Sequence, residues 1–302
     1  MKRYLTLIVL CLLSGLLPMA GANRGKRIVQ SQASDPLIQS QWNGARVGIL
    51  GDSITDGNQL KTQDVYWHQL IDILGIEPYC YGINGHQTCQ IQGQAEKLLA
   101  DHGQEVDAVL IFIGTNDFNS SIQPGVWFRE ETVEVNRDGV PTTLRHRVPV
   151  MEHGTVRGEI NLFMSWLKHH YPTQQIILLT PIHRAYFNCH QYNVQQDENY
   201  ANPLGLYLDD YVRIIKEAGE VWAVPVIDLA SICGLFPLEP EHTRYFREAG
   251  YQVEHTAVED AMAAPGTLEA LAHHDLLHPN TEGHLRMAYA LAYQLLGYPA
   301  KF

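Results

Sequence analysis

The chain sets a serine among glycines and aspartates early, and an aspartate and a histidine close together late. These are Ser53 in GDSITDG (51–57), and Asp275 and His278 in DLLHP (275–279). Those three residue types can supply the nucleophile, the base and the orienting group of nucleophilic acyl transfer. A serine hydroxyl attacks a carbonyl well only when a base removes its proton, and the base works best when a third group orients it. Asp275 and His278 stand three positions apart. In a short loop this spacing lets the carboxylate reach one ring nitrogen and leaves the other facing a hydroxyl. Pro279 then fits the first position of a helix and would fix where the loop ends. The reaction also needs donors for the charge that develops on the carbonyl oxygen. GINGHQT (82–88) and GTND (114–117) are two further short segments that follow apolar runs, and they carry Gly82 and Asn116.

Each piece alone has a plainer reading. GDSITDG is not the G-x-S-x-G elbow, because Thr55 occupies the second glycine position. It also reads as a glycine turn in which Asp52 or Ser53 caps a helix. DLLHPN also reads as a helix entry, with Asp275 as the cap and His278 solvated. His273 and His274 add a third reading, a metal cluster with Asp275 and His278, although adjacent histidines usually point apart. Asp52, Asp56 and Asp117 fit acceptors for loop N–H groups better than any proton-transfer role.

The elements that must position these residues follow from hydrophobic patterning. Apolar runs predict strands at 46–51, 77–82, 106–114, 174–180 and 223–229. Helical spacing appears at 64–74, at 88–101 with Thr88 as cap, at 154–170, at 206–219, and from Pro279 to about Leu296. The alternation predicts a parallel sheet with helices on both faces. Such sheets bind ligands beyond the carboxyl ends of their strands. Ser53, Gly82 and Asn116 each follow a strand, so all three converge on one edge. Insertions at about 118–153, 184–203 and 234–274 also follow strands and should shape access to that edge. The first carries a β-hairpin, with TVEV and VPTTLRH joined through Asn136-Arg137-Asp138-Gly139.

Composition bounds the rest. The chain has 302 residues, 45% hydrophobic and 18% charged, enough to bury a large core. A net charge of −12 argues against a nucleic-acid partner, which needs clustered Lys and Arg; no basic run exceeds Arg24-Gly25-Lys26-Arg27. Residues 1–22 read as a signal peptide: Lys2 and Arg3, an apolar core from Leu5 to Leu17, and the small residues Ala20-Gly21-Ala22. A retained anchor is the rival reading of the same stretch. Removal of the peptide leaves one domain, 23–302, exported to the periplasm or secreted, with no stable membrane insertion. Cys80, Cys89, Cys189 and Cys233 then permit two disulfides or none, and without a CxxC pair they do not suggest structural zinc.

Taken in order, GDSITDG, GINGHQT, GTND and DLLHP resemble the four blocks of the SGNH (GDSL-type) hydrolase family. The resemblance runs from the first strand to the last helix. Asn84 stands where that pattern usually has a small polar residue. The resemblance implies a three-layer α/β/α, flavodoxin-like fold with a mainly parallel five-stranded sheet, to which this chain adds the β-hairpin. It implies Ser53 as nucleophile, His278 as base and Asp275 as the group that orients it. The backbone N–H groups of Ser53 and Gly82 and the amide of Asn116 would form the oxyanion hole. No cofactor or metal is required. The expected activity is that of an exported serine esterase acting through an acyl-enzyme on a small-molecule or glycan ester. A carbohydrate O-acyl ester, especially acetyl, is the first choice: Trp127 and Tyr186 offer rings that pack on sugars, and Arg129 offers a partner for an acidic group. Such rings also fill small satellite cores, and exposed arginines are commonly just solvated. A lipid or lysophospholipid ester, a non-catalytic glycan-binding module on the same fold, and a metal-dependent hydrolase are the alternatives.

Overall fold

The computed structural model describes residues 36–57, 64–188, 194–248 and 274–302. The leader read from residues 1–22 lies outside them, as do Cys189, His273, the side chain of His274 and most of the third insertion. In chain order the first elements are β1 (Arg46–Gly51), α1 (Tyr66–Leu74), β2 (Glu77–Cys80), α2 (Ile91–His102), β3 (Ala108–Phe112) and α3 (Thr115–Asn119). Next come β4 (Phe128–Arg137), β5 (Val140–Pro149), α4 (Val156–His170), β6 (Gln175–Leu179), β7 (Phe187–Asn188) and β8 (Val194–Gln195). The rest are α5 (Leu208–Trp222), β9 (Val226–Ile227), α6 (Leu229–Ile232), β10 (Phe246–Glu248), β11 (His274–Pro279) and α7 (Thr281–Leu295).

Five strands form a parallel sheet in the order β2-β1-β3-β6-β9. This is the flavodoxin-like order, and its reversal point lies at β1 and β3. The central strands AVLIF and QIILL are buried throughout, because helices cover both faces. Alternation then sorts their side chains. Leu110, Phe112, Ile177 and Leu179 face α1 and α7, whereas Val109, Ile111, Ile176 and Leu178 face α2, α4 and α5. Each fully buried Leu or Ile contributes roughly 1.5–3 kcal/mol to this packing.

Several boundaries differ from the sequence reading. The second strand ends at Cys80, so Gly82 lies in the loop beyond it. The fifth strand pairs only over Val226–Ile227. The first helix begins at Tyr66, and the GDSITDG turn does not run directly into it. Thr88 opens a short 3-10 turn without capping it; its hydroxyl donates to Asp117 instead. Cys80, Cys89 and Cys233 are free thiols.

The largest departure is at DLLHP. It is not a short loop but strand β11, in a second sheet ordered β10-β11-β7-β8. Its neighbours come from the second and third insertions: Asp275 sits opposite Arg247 on one side and Phe187 on the other. Pro279 ends this strand rather than opening a helix. The cap of α7 is Asn280, whose Oδ1 accepts the Gly283 N–H at 3.0 Å. Its Nδ2 also donates to the carbonyls of Arg244 (2.7 Å) and Phe246 (3.0 Å). A single amide therefore ties β11, β10 and α7 together. Asn280→Ala loses the cap and both tethers and should destabilise the protein by about 1–2 kcal/mol. The shift in urea unfolding midpoint checks this, and a shift within error would show that the tethers carry no stability.

Candidate active site

Ser53 stands in a tight turn directly after β1. The Asp52 carbonyl accepts the N–H groups of Thr55 (3.1 Å) and Asp56 (2.9 Å), and Asp52 Oδ1 accepts the Ile54 N–H at 3.0 Å. Upstream, the Gln94 side chain clamps Gly51 on both sides: Oε1 accepts its N–H and Nε2 donates to its carbonyl, each at 2.8 Å. The turn is thus fixed at both ends before Ser53 does anything.

The next two loops are laced to it by carboxylates. Asp56 Oδ2 accepts the Asn84 N–H at 3.0 Å. Asp117 accepts the Thr88 hydroxyl at 2.6 Å and its N–H at 3.2 Å. Asn116 donates one N–H of its amide to the His86 carbonyl at 3.0 Å. Gly82 has a steric reason to be glycine: a Cβ there would lie 2.5 Å from Thr55 Cγ2. Thr55 cannot yield, because its carbonyl takes the Trp67 indole N–H (2.9 Å) and its hydroxyl bonds Tyr66 Oη (3.1 Å). The Ser53 N–H has no acceptor among the described residues, and the Gly82 N–H has only the weakly accepting Cys80 thiol near it. Burial pushes that thiol up to about 12, so it stays neutral.

The late segment meets this turn. Ser53 Oγ lies 2.8 Å from His278 Nε2, and His278 Nδ1 lies 2.7 Å from Asp275 Oδ2 and 3.0 Å from Oδ1. Ser53, Asp275 and His278 are 4%, 2% and 5% exposed. Asp275 Oδ1 also accepts the N–H groups of Leu277 (3.2 Å) and His278 (3.0 Å). The Phe187 ring meets the imidazole edge-on, with centroids 5.4 Å apart. The serine, histidine and aspartate named from sequence therefore come together in hydrogen-bonded order, and Gly82 and Asn116 lie in the loops laced to the serine turn.

Four buried residues around this group escaped the sequence reading. Arg247 Nη1 is 3.9 Å from Asp275 Oδ2 and has no hydrogen-bond partner among the described residues. Arg184 is held by Asn119 and Gln195 and by the carbonyls of Ala185 and Gln196, with burial lowering it to about 10. Gln94 clamps the turn. His284 accepts the Tyr66 N–H on Nδ1 at 3.2 Å. In the sequence Arg184 is a single arginine within TPIHRAYF, and Arg247 follows Arg244 within RYFRE.

Of the residues suggested for substrate contact, Trp127 and Arg129 have other partners and Tyr186 is buried. Trp127 donates to Glu217 at 2.8 Å, under the Arg157 guanidinium. Arg129 is exposed and pairs with Glu131 (3.2 Å) and Glu152 (3.6 Å). Tyr186 is buried against β11, where its carbonyl accepts the Leu276 N–H at 3.1 Å. Among the described residues no three His, Cys, Asp or Glu side chains converge as a metal requires. A cavity of about 200 Å³ lined by Thr88, Cys89, His153 and Glu159 touches none of the triad residues.

Burial also sets charge states here. It raises Asp52 to about 7, helped by nearby Asp117, and raises Asp117 to about 6. It lowers His284 to about 3, with His278 and Arg247 adding to the effect. The unfolded chain protonates His284 near pH 6.5 while the fold keeps it neutral. Its contribution is therefore whole above pH 6.5 and is lost as pH falls toward 3, at no more than about 1.4 kcal/mol per pH unit. Asp52 works the other way, losing stability as pH rises toward 7, so only a difference isolates the histidine. Relative to His284→Asn, which retains an acceptor for Tyr66, the wild type should lose stability progressively below pH 6.5. Urea unfolding at several pH values measures the gap, and a constant gap would refute the buried neutral histidine.

No functionally curated protein matches the chain significantly. Solved structures share its fold. A protein from Lactobacillus plantarum has a TM-score of 0.59 and 18% identity, covering 85% of this chain and 98% of that one. A possible lipase from Chitinophaga pinensis DSM 2588 has a TM-score of 0.57 and 21% identity over 83% and 97%. A putative GDSL-like lipase from Parabacteroides merdae ATCC 43184 has a TM-score of 0.50 and 17% identity over 86% and 98%. At these identities the likeness is one of fold. The sequence model of the GDSL-like lipase/acylhydrolase family matches residues 49–286, from within β1 to within α7. That span holds Ser53, Gly82, Asn116, Asp275 and His278 in order, and the chain belongs to the GDSL-like lipase/acylhydrolase family.

Proposed function

We propose that this chain is an exported serine esterase that opens a carboxylic ester through an acyl-enzyme. The observation that carries the reading is the unbroken relay from Ser53 Oγ to His278 Nε2 and from His278 Nδ1 to Asp275. As Ser53 attacks the ester carbonyl, His278 takes the hydroxyl proton, and Asp275 steadies the imidazolium that forms. The oxyanion meets the N–H of Ser53, the N–H of Gly82 and the second amide N–H of Asn116, whose first holds it to His86. His278 then gives its proton to the departing alkoxide. Water repeats the sequence on the acyl-enzyme and restores Ser53. Asp52, raised to about 7, adds little negative charge beside the developing oxyanion below that pH.

A carbohydrate O-acetyl ester is the substrate class we favour. The nucleophile and base are almost closed off, which suits a small acyl group better than a long chain needing an apolar trough. Tyr200 in the second insertion is 59% exposed and provides a free ring for a sugar. Export rests on the leader pattern; among the described residues no helix is long and apolar enough to cross a membrane.

Ser53→Ala should abolish turnover of a short acyl ester in a folded protein, a loss of about four to six orders of magnitude for a triad nucleophile. Undiminished activity would sink the assignment. Labelling of Ser53 by a serine-directed phosphonate separates an esterase from a binding module, and activity that survives a chelator separates it from a metal hydrolase. On a series of acylated sugars and lipids, kcat/KM should be highest for acetyl and fall with acyl length. A rise with length would favour the lipid ester.

A further inference from the structure

The ribbon β4–β5 is the largest feature that the catalytic reading leaves unused. Each strand has ten residues, joined by a turn in which Asp138 (φ 54°) and Gly139 (φ 86°) both adopt the left-handed region. This is the chirality that a two-residue hairpin loop favours. The root is firmly held: Asn161 Nδ2 donates to the carbonyls of Trp127 (2.9 Å) and Val150 (3.0 Å). Beyond the root the ribbon packs chiefly with itself among the described elements. A two-stranded ribbon on its own is only marginally stable in water.

Its register sorts the side chains into two unlike faces. One face is polar and self-satisfied. There Arg145 pairs with Glu130 at 3.2 Å, and the Arg147 guanidinium lies 4.2 Å from the Phe128 ring centre. The other face places Val133 opposite Leu144, Val135 opposite Thr142 and Arg137 opposite Val140. On it Val140 is 61% and Leu144 39% exposed. An alternating apolar face of this kind is the pattern of a strand pair with something packed on it.

We propose that this face is the contact surface for a second copy of the same chain, stacked antiparallel about a two-fold axis. The charge pattern carries the choice of partner. From root to tip the face holds Arg129, then Glu131 with His146 opposite it, and at the tip Arg137, whose cross-strand neighbour Val140 carries no charge. A two-fold axis midway between Val133 and Val135 sets Glu131 against the partner's Arg137, Val133 against the partner's Val135, and the same contacts in reverse. A two-fold axis along the strands would instead lay β4 on the partner's β5 and set Arg137 against the partner's Val140, without a charge match. The existing Arg129–Glu131 pair is exposed and worth little, so it does not compete strongly. The ribbon is about 33 Å long and about 10 Å wide, so each copy buries only roughly 350 Å², well below the ~800 Å² per partner of stable complexes. The dimer is therefore weak and concentration-dependent.

Sedimentation of the full chain from low micromolar to millimolar concentration tests this. The average mass should rise from monomer toward dimer. Leu144→Lys should hold it at monomer, and Glu131→Arg or Arg137→Glu alone should weaken association. The double charge swap should restore it. Unchanged circular dichroism and ester turnover would show that each variant is folded, because beyond its root the ribbon packs chiefly with itself among the described elements. A monomer at every concentration, a dimer indifferent to Leu144→Lys, or a double swap that fails to restore association would each overturn the proposal.

Discussion

Asp275 keeps a carboxylate almost wholly out of water, and much of the molecule beyond the main sheet is arranged around that fact. A buried charge is tolerated only when its oxygens are fully partnered. Here the partners are the imidazole of His278, two backbone N–H groups and, at longer range, the Arg247 guanidinium. They come from β11 itself and from β10 across the ladder, while β7 closes the other side with Phe187 against the imidazole. Burial that orients the imidazole of His278 also creates the demand for the second sheet. The sheet in turn needs Asn280 to pin its end to α7.

The loops at the carboxyl edge of the main sheet meet a related constraint. They approach so closely that Gly82 has no room for a Cβ; Asp56 and Asp117 span the gaps by accepting N–H groups from a neighbouring loop, and Asp52 holds its own turn. Two of those aspartates are buried deeply enough to resist ionisation. The acids in GDSITDG and GTND accept loop N–H groups, as their residue type suggested. The position of Thr55 shows how little tolerance there is: its methyl, hydroxyl and carbonyl each meet a different neighbour.

The parallel sheet was legible because its strands are continuous apolar runs and its helices are long and periodic. The meeting of Ser53, His278 and Asp275 was legible because serine, histidine and aspartate are chemically distinctive types at telling positions. The second sheet was not legible, because strands of two or three residues have no periodicity to detect. Pairing between Phe187, Asp275 and Arg247 is a long-range fact that local propensity does not encode. The same limit hid Gln94, which looks like any helix residue until its amide meets Gly51. Pro279 misled for a physical reason: proline suits the first turn of a helix, but it is equally at home at a strand end, and Asn280 beside it is the better cap. Trp127 looked like a ligand platform because an insertion aromatic often is one; its indole N–H proved to be committed to Glu217.

The small sheet also bears on how freely the insertions vary. Loops over the edge of an α/β sheet are ordinarily the parts that drift in length without harm to the framework. Here one strand of the base-bearing sheet is drawn from residues 187–188 and another from 246–248, so these insertions are wall as well as ornament. Trimming the chain toward a minimal version of its fold would strip the neighbours from Asp275 while leaving Ser53 untouched. A lineage that shortens these segments must find another way to hold its histidine, or lose its chemistry with its core intact.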